Sequence, residues 1–333
     1  MSMKTVKSIS HKRAGQPGRG RNARAPSEVP AIGWLDVFWR VYAALWEDRI
    51  MLIAAGSTFY LLLALFPALT AFVSIYGFLA DRTTVAGNTS LLAGILPNDS
   101  VELIKSQLDA LAGQDIKVLS FGFFIGLMVA LWSANNGVKG IFEALNVAYG
   151  EHETRSFIKL NLISFVFTFG GMLFGVILLG SLGLIPRLML VAGLGSWNTV
   201  LVSLARWPLT GLIVIGAISL IYRFGPDREQ AKWRWLSFGA ILSTFVWMAT
   251  AASFTFYLAN FADYNATYGA LGAVAGLMVW IWISVIILIL GAELNAELEH
   301  QTAVDTTTGE PLPMGYRGAV VADTLGKASN EKY

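Results

Sequence analysis

Six long segments of this chain contain almost no charged side chain, and each is about as long as a helix that crosses a lipid bilayer. They lie at about residues 51–79, 118–137, 160–185, 206–224, 236–259 and 270–292. A helix needs about 20 apolar residues to span a hydrocarbon core of about 30 Å. Backbone polar groups in that core must be satisfied internally, and the segments lack strand-like alternation, so we expect helices. The sequence therefore predicts an all-α, polytopic membrane protein with six transmembrane helices.

The composition supports this fold class and excludes several kinds of site. Charged residues make up 14% of the chain, against about 25% in soluble domains. The chain has no cysteine, and its three histidines, His11, His152 and His300, lie outside the apolar segments. It contains neither a nucleotide-binding Gly-x-x-x-x-Gly-Lys-Ser/Thr loop nor a His-x-x-x-His zinc helix. We therefore expect no cofactor, no metal, no nucleic-acid partner and no enzymatic activity.

The basic residues predict the orientation of the helices. If the N-terminus is cytoplasmic, 19 of the 24 lysines and arginines fall in cytoplasmic segments, and the outer loops hold the other five. Cytoplasmic loops of membrane proteins carry an excess of Lys and Arg. The pattern therefore predicts that both termini are cytoplasmic.

The chain divides into three parts by composition. Residues 1–30 form a basic tail without periodic apolar residues, which we expect to be disordered. It serves either as a solvated topology anchor or as an adhesive for anionic lipid. Residues 31–299 form the transmembrane domain, and residues 300–333 form a polar tail that we also expect to be disordered.

Three segments between the spans are amphipathic and predict interfacial helices. In residues 34–49, Trp34, Phe38, Val41 and Leu45 share one face, and Asp36 and Arg40 are spaced to pair on another. A second helix is predicted in the outer loop, beginning at Asp99. The third segment covers residues 138–149.

Polar and small residues within the spans suggest how the helices pack. The hydroxyl side chains there either bond to backbone and neighbouring helices or line a polar path. Trp247, Trp280 and Trp282 likewise either pack between helices or line a cavity. Glycines four residues apart allow close approach of helices and are compatible with an oligomer; the pairs are Gly122 with Gly126, Gly171 with Gly175, and Gly272 with Gly276.

Charged residues are absent from the midpoints of the spans, so the carboxylate usual in proton-coupled carriers is missing. Glu293 and Glu297 lie one turn apart at the cytoplasmic end of the sixth span. They are either solvated or belong to a cytoplasmic ion-pair network with Arg155 and Arg223.

Several segments together resemble the YihY/virulence factor BrkB family of bacterial inner-membrane proteins. The resemblance extends over about residues 35–299 and is carried by residues 54–67 (AAGSTFYLLLALFP), 132–134 (WSA), 144–150 (ALNVAYG), 153–155 (ETR), 222–226 (YRFGP), 257–269 and 291–297 (GAELNAE). It implies six spans in the bacterial inner membrane and a link to envelope properties and virulence, without a settled activity. An old label of the family, ribonuclease BN, conflicts with the lack of nuclease metal ligands here.

Polar residues and a proline in or beside the spans are the candidates for a polar path or gate. They are Tyr60, Pro67, Asn135, Asn136, Tyr257, Asn260, Tyr264 and Tyr268. Pro67 should kink its helix because it removes a backbone donor.

Two functions fit this reading. The first is a transporter or lipid-handling protein of the cell envelope, with membrane lipids as partners and a lipid-linked or small-molecule substrate. A lipid substrate needs no central ionisable group, since its tails stay in the bilayer while the headgroup crosses a polar groove. The second is a non-transporting scaffold that recruits partners through its tails.

Overall fold

The computed structural model describes residues 13–79, 116–191, 196–260 and 270–331, and within them the side chains of residues 13–64, 124–174, 208–257 and 274–331. This part of the chain is helical, and its only β-type pairing is an isolated bridge between Ala231 and Thr307. The helices are α1 (Ala31–Glu47), α2 (Ile50–Leu79), α3 (Ile116–Ala148), α4 (Phe157–Val191), α5 (Ser196–Phe224), α6 (Trp233–Asn260), α7 (Ala270–Glu299) and the short α8 (Val320–Asp323).

The six apolar segments predicted from the sequence all fall within α2 to α7. Among the described residues, three stretches are long and apolar enough to cross a membrane: Phe157–Phe174, Trp233–Tyr257 and Val274–Glu299. Two shorter apolar stretches are Ile50–Ala64 and Pro208–Phe224. The all-α class is therefore confirmed, while the count of six spans and the sides of the termini stay predictions.

The third amphipathic segment is not a separate surface helix but the last third of α3. Asn135, Asn136 and Gly137 were expected to end the second span, yet α3 continues through them to Ala148. Phe142 and Tyr149 are buried there. The apolar face of this segment therefore packs into the bundle rather than lying on a membrane surface. The outer-loop helix at Asp99 lies outside the described residues.

Glycines set the close contacts between neighbouring helices. A Cβ on Gly137 of α3 would lie 2.7 Å from Cδ2 of Leu61 on α2, and one on Gly140 would lie 2.7 Å from Oγ of Ser57. Of the glycines in the pairs predicted from four-residue spacing, Gly171 and Gly276 make no such contact, since neither has an atom within 4 Å of its Cβ position.

A very close crossing joins α6 to α7 and is bridged by one amide side chain. Gly239 and Gly291 face each other there, with no room for a Cβ on either. Asn295 of α7 accepts a hydrogen bond from the Gly239 amide at 2.8 Å and donates to the Leu236 carbonyl at 3.1 Å. Tyr222 of α5 joins the same contact by donating to the Leu288 carbonyl at 2.7 Å. Three helices are thereby fixed to each other at one level.

Helix α1 is amphipathic, but its faces differ from the predicted ones. Trp34 and Val41 pack inward with the cluster around Val37 and Trp235, whereas Phe38 is exposed. Asp36 and Arg40 do not pair with each other; each is buried beneath the helix on other partners. The outward face is instead a row of exposed apolar and aromatic side chains: Ile32, Leu35, Phe38, Trp39, Tyr42 and Trp46.

Residues 13–30 and 300–331 fold against the bundle, and we call them together with α1 the terminal end. The disorder predicted for residues 1–30 and 300–333 is therefore incorrect for the described residues 13–30 and 300–331. Arg21 is buried and donates to the Gly326 carbonyl and to Gln16, both at 2.9 Å. Burial and the nearby charge of Arg40 lower the pKa of Arg21 to about 10. The polar composition of these residues indicated that water solvates them. In the structure their polar groups instead bond to residues about 300 positions away in the sequence.

The carboxylate of Asp36 accepts hydrogen bonds from both of the segments that form the terminal end together with α1. It is fully buried, and both of its oxygens accept from Arg19, at 2.6 and 2.7 Å, while Oδ1 also accepts from the Ser329 amide at 2.8 Å. Burial alone raises the pKa of Asp36, but the hydrogen bonds from Arg19 and Ser329 outweigh it, so the pKa lies below its ordinary value of 3.8.

We expect Asp36→Asn to destabilise the protein by about 1.5–3 kcal/mol at pH 7, because it removes charged hydrogen bonds. A carboxyl whose folded pKa is lowered stabilises the fold above its unfolded pKa, and this contribution is lost as the pH falls through the folded value. The difference from the wild type should therefore be constant from pH 7 to about 4 and shrink below. Thermal unfolding in detergent measures it, with exposed Glu310→Gln as control. A difference that grows towards acid would contradict the assignment.

Candidate functional site

A cavity of about 1290 Å³ lies between α4 and α5 on one side and α6 and α7 on the other. Sites for small ligands measure about 300–1000 Å³, so this one is large enough for part of a long molecule. Its apolar wall is formed by Leu61, Leu162, Ile163, Val166, Phe167, Leu173, Phe174, Ile213, Val214, Ile218, Leu220, Ile221, Trp247, Trp280, Ile281, Val285, Ile287 and Leu288. Gly170, Gly171 and Gly216 add room, since a Cβ on any of them would meet no atom within 4 Å.

The cavity is open to the surroundings of the helices along α4. Only 11% of the stretch Phe157–Phe174 is buried, against 28% for the long apolar stretches of α6 and α7. Leu162, Val166 and Leu173 line the cavity and are each more than 60% exposed. The space is therefore a groove with a lateral opening, not a sealed void.

Three polar groups of the wall are already bonded to each other, to a neighbouring hydroxyl or to backbone. Nε1 of Trp247 donates to Oγ of Ser284 at 3.0 Å, and Ser284 donates to the Trp280 carbonyl at 2.8 Å. Ser243 is held between the Tyr222 hydroxyl and the Ile287 carbonyl. The wall therefore presents an apolar surface to any occupant. Of the three tryptophans inside the spans, Trp247 and Trp280 line this cavity, while Trp282 bonds to the Met51 carbonyl at 3.0 Å.

Charged side chains gather where the groove reaches the terminal end, and we call them the mouth. The mouth consists of Arg155, Lys159, Arg223, Asp227 and Arg228. These residues lie just before or at the start of α4, at the end of α5 and in the loop that follows α5. The loop is fixed because Asn146 of α3 accepts from the Asp227 amide at 2.7 Å. The site thus has an apolar body and a charged opening.

Two arginines of the mouth are locked in buried ion pairs. Arg228 donates to both carboxylate oxygens of Glu299, at 2.8 and 3.0 Å, and its guanidinium lies 4.8 Å from the Tyr149 ring centre. Arg155 pairs with Glu153 at 2.6 Å and donates to the Gly225 carbonyl at 2.8 Å. Both side chains are almost inaccessible. These two arginines stabilise the structure of the mouth, and their charges are compensated by Glu153 and Glu299.

The residues predicted to form a polar path do not come together at this cavity. Tyr60 and Tyr257 lie on outer surfaces, each more than 40% exposed. Asn135 is buried and bonds Asn161 across to α4 at 3.2 Å, and its neighbour Asn136 is half-buried. None of these four lines the cavity. Tyr264 and Tyr268 lie outside the described residues, as do the side chains of Pro67 and Asn260, whose backbones belong to α2 and α6.

Several hydroxyls elsewhere in the predicted spans bond to the backbone of their own helix. Thr58 donates to the Ala54 carbonyl at 2.7 Å, and Thr244 donates to the Ala240 carbonyl at 2.8 Å. Ser253 and Thr255 bond one turn back in the same way. Each hydroxyl is satisfied within its own helix. The reading in which these groups bond to backbone is therefore confirmed for them.

The predicted ion-pair network is also rearranged in the structure. Glu297 pairs with Arg40 of α1, and Nδ1 of His300 lies 3.5 Å from it. Glu293 is buried beside Asp48, the residue that follows α1. Arg155 and Arg223 belong to the mouth instead. The network was predicted because its residues lie at one end of the bundle. In the structure α1 covers the end of α7, and its Arg40 is the cation that pairs with Glu297.

Lys159 and Arg228 were counted in the sequence only as loop charges, although both line the mouth. The signal that identifies them is positional: basic residues stand at the same end of two consecutive helices. For metal chemistry, the described residues hold no group of three or more His, Asp or Glu side chains that fits a metal ion.

Comparisons with known proteins agree with the resemblance read from the sequence. The family model described as Virulence factor BrkB matches residues 41–313. The chain is similar to YfkH of Bacillus subtilis, which is named a ribonuclease-like protein, with 32% identity over 254 residues, 74% of this chain and 90% of YfkH.

The chain is also similar to two proteins named UPF0761 membrane protein. That of Tolumonas auensis is 25% identical over 78% of this chain and 83% of its own length. That of Rhodospirillum centenum is 28% identical over 88% of this chain and 64% of its own length. No solved structure matches the chain.

Proposed function

Because the chain belongs to the virulence factor BrkB family, with relatives named as membrane proteins, we propose that it binds and moves membrane lipids in the bacterial inner membrane. The proposal includes six spans, a cytoplasmic terminal end and no enzymatic activity. The observation that carries it is the apolar groove of about 1290 Å³ that opens sideways along α4 and ends at a charged mouth.

The groove suits lipid better than a soluble solute. Within a bilayer, an apolar space with a lateral opening is filled by acyl chains, because a void loses the dispersion contacts of its lining. Water is a poor occupant, since the hydroxyls of the wall already have partners and a buried water needs two to four. A polar solute would meet the same apolar wall. A lipid satisfies both parts of the site, with its tail in the groove and its headgroup at the mouth.

The terminal end fits a cytoplasmic membrane surface. Helix α1 presents its exposed aromatic row, including Trp39, Tyr42 and Trp46, away from the bundle. Such a row suits the interface between headgroups and acyl chains. The excess of basic residues assigned to this side supports the same orientation.

We expect Gly216→Trp and Gly171→Trp to empty the groove of lipid. Both glycines line it and have open space at the Cβ position, so an indole takes the place of acyl-chain carbons. Retained lipid should fall by about tenfold, which corresponds to about 1.4 kcal/mol. Native mass spectrometry of protein released from nanodiscs measures the bound lipid.

Gly56→Trp is the matched control, because Gly56 also has open space but lies on α2 away from the groove. It should leave lipid retention unchanged. Liposomes that carry a fluorescent lipid test movement: the wild type should speed the exchange between leaflets, and the groove variants should not. A wild type that retains no lipid would contradict the proposal.

The scaffold function has less support than the sequence suggested. It relied on free tails, whereas the described tail residues pack into the terminal end through Arg21, Gln301 and Thr302. Deletion of these segments would remove buried contacts. Loss of function after such a deletion would therefore not identify a recruited partner.

A further inference from the structure

Lys159 and Arg223 differ from the other two cations of the mouth because no carboxylate in the described part of the chain forms an ion pair with either of them. Arg228 is held by Glu299 and Arg155 by Glu153. Asp227 is then the remaining acid of the mouth. The opening of the groove therefore keeps a net positive charge.

Asp227 offsets only part of this charge, because it is one carboxylate beside two cations that have no ion-pair partner among the described residues, and its oxygens already accept bonds from its own surroundings. Its Oδ2 accepts from both the amide and the hydroxyl of Thr154, at 2.7 and 2.6 Å, and its Oδ1 lies 3.7 Å from Arg155. Burial raises the pKa of Asp227, but the Thr154 bonds and the charges of Arg155 and Lys159 hold it below its ordinary value. It is ionised at neutral pH and faces two nearby cations, so a second anion can still be accommodated.

Arg223 is held in position, and among the described residues only one hydrogen bond from its guanidinium is seen. Its guanidinium lies 4.6 Å from the Trp233 ring centre and 5.7 Å from that of Phe224, and one nitrogen donates to the Ala231 carbonyl at 2.6 Å. An arginine has five N–H donors, and the ring contacts leave the edge of the guanidinium available. A guanidinium fixed in this way matches the oxygens of a phosphate group.

Lys159 adds a second such cation to the mouth, on the neighbouring helix α4. It lies in the first turn of α4, is exposed, and also lines the groove. Two cations on neighbouring helices, at the mouth of an apolar groove, fit a molecule with a phosphate at one end and acyl chains at the other.

We propose that the groove selects membrane phospholipids whose headgroup has a net negative charge, with Arg223 and Lys159 binding the headgroup. This inference rests on the proposed function and adds the substrate class to it. A zwitterionic lipid presents its phosphate together with a cationic group, which the positive mouth repels. The groove accepts the tails of either lipid, so the selection resides in the two cations.

The test uses the full-length protein in nanodiscs of equal parts phosphatidylglycerol and phosphatidylcholine, with retained lipids counted by native mass spectrometry. We expect the wild type to favour phosphatidylglycerol by about tenfold, the effect of a charge-assisted hydrogen bond. Arg223→Gln and Lys159→Gln should each reduce this preference severalfold while leaving phosphatidylcholine retention unchanged. Arg223→Lys should keep part of it.

Arg234→Gln is the matched control, because Arg234 is an exposed cation on α6 that does not line the groove; it should leave the preference unchanged. Equal retention of the two lipids by the wild type would overturn the inference and leave lipid handling intact, whereas no retained lipid would contradict both. If Arg223→Gln loses both lipids equally and Lys159→Gln keeps the wild-type preference, the cations only support the fold and the inference fails.

Discussion

Replacing Gly239 with alanine should strongly destabilise the helix bundle. A Cβ on Gly239 would overlap the carbonyl oxygen of Gly291 and lie 2.6 Å from both polar side-chain atoms of Asn295. Helix backbone cannot move aside as a flexible side chain does, so α6 and α7 must separate. Overpacking costs about 1–3 kcal/mol, and an unsatisfied buried amide adds about 1–3 kcal/mol. After the gain of about 1 kcal/mol in helix propensity is subtracted, we expect a net loss of about 1–5 kcal/mol.

The gain in helix propensity does not offset this loss. Alanine favours an exposed helix over glycine by about 1 kcal/mol. Gly56→Ala measures that gain alone, because Gly56 is exposed on α2 and its Cβ would meet no atom within 4 Å. Thermal unfolding in detergent, followed by tryptophan fluorescence, should therefore show a lower midpoint for Gly239→Ala and an unchanged or higher one for Gly56→Ala. Equal midpoints would show that α6 and α7 do not cross at Gly239.

The sequence was sufficient to locate the helices but not all of their ends. Long apolar segments without charge are satisfied by helices, and all six predicted segments lie in helices of the structure. The second predicted span ends at residue 137, yet α3 continues through Asn135, Asn136 and Gly137 to Ala148. Asn135 has a partner on α4, and Gly137 admits Leu61 of α2. Contacts with neighbouring helices, rather than the local sequence, therefore determine the conformation at these residues.

The pairing of charges was the least predictable feature. Arg40 contacts Glu297, and Arg21 contacts Gly326, across separations of more than 250 residues. Composition describes residues 13–30 as basic and polar, which is also the composition of a disordered tail. Only the fold shows that these arginines donate hydrogen bonds to acceptors that are distant in the sequence. The mouth was missed for the same reason, since its members become neighbours only when α4 and α5 lie side by side.

The spacing of glycines indicates that helices pack closely, but it does not show which glycines make the contacts. The predicted pairs were chosen because residues four apart share a helix face. Gly171 and Gly216 instead face open space and widen the groove, whereas Gly239 and Gly291 make the tight crossing. A glycine that admits a neighbouring helix and one that leaves room for a ligand are identical in sequence. The difference depends on the helix opposite.

Replacing Arg228 with methionine should release the C-terminal segment from the bundle. Arg228 and Glu299 are joined by two hydrogen bonds, and their side chains are 2% and 0% exposed. The Thr306 hydroxyl, which donates to Glu299 at 2.6 Å, then remains the carboxylate's hydrogen-bond donor. Removing one partner of a buried ion pair costs about 3–5 kcal/mol, because the other charge stays buried without compensation.

Two further variants distinguish the effect of breaking this buried ion pair from the effect of removing any positive charge. Arg13→Met makes the same change at the partly exposed pair with Glu331, for which about 0–1 kcal/mol is expected. Adding Glu299→Gln to Arg228→Met removes the unpaired charge and should recover part of the loss. Limited proteolysis should cleave residues 300–331 rapidly in Arg228→Met, slowly in the double variant and at the wild-type rate in Arg13→Met. Equal cleavage in Arg228→Met and Arg13→Met would mean that the buried pair does not hold the terminal end.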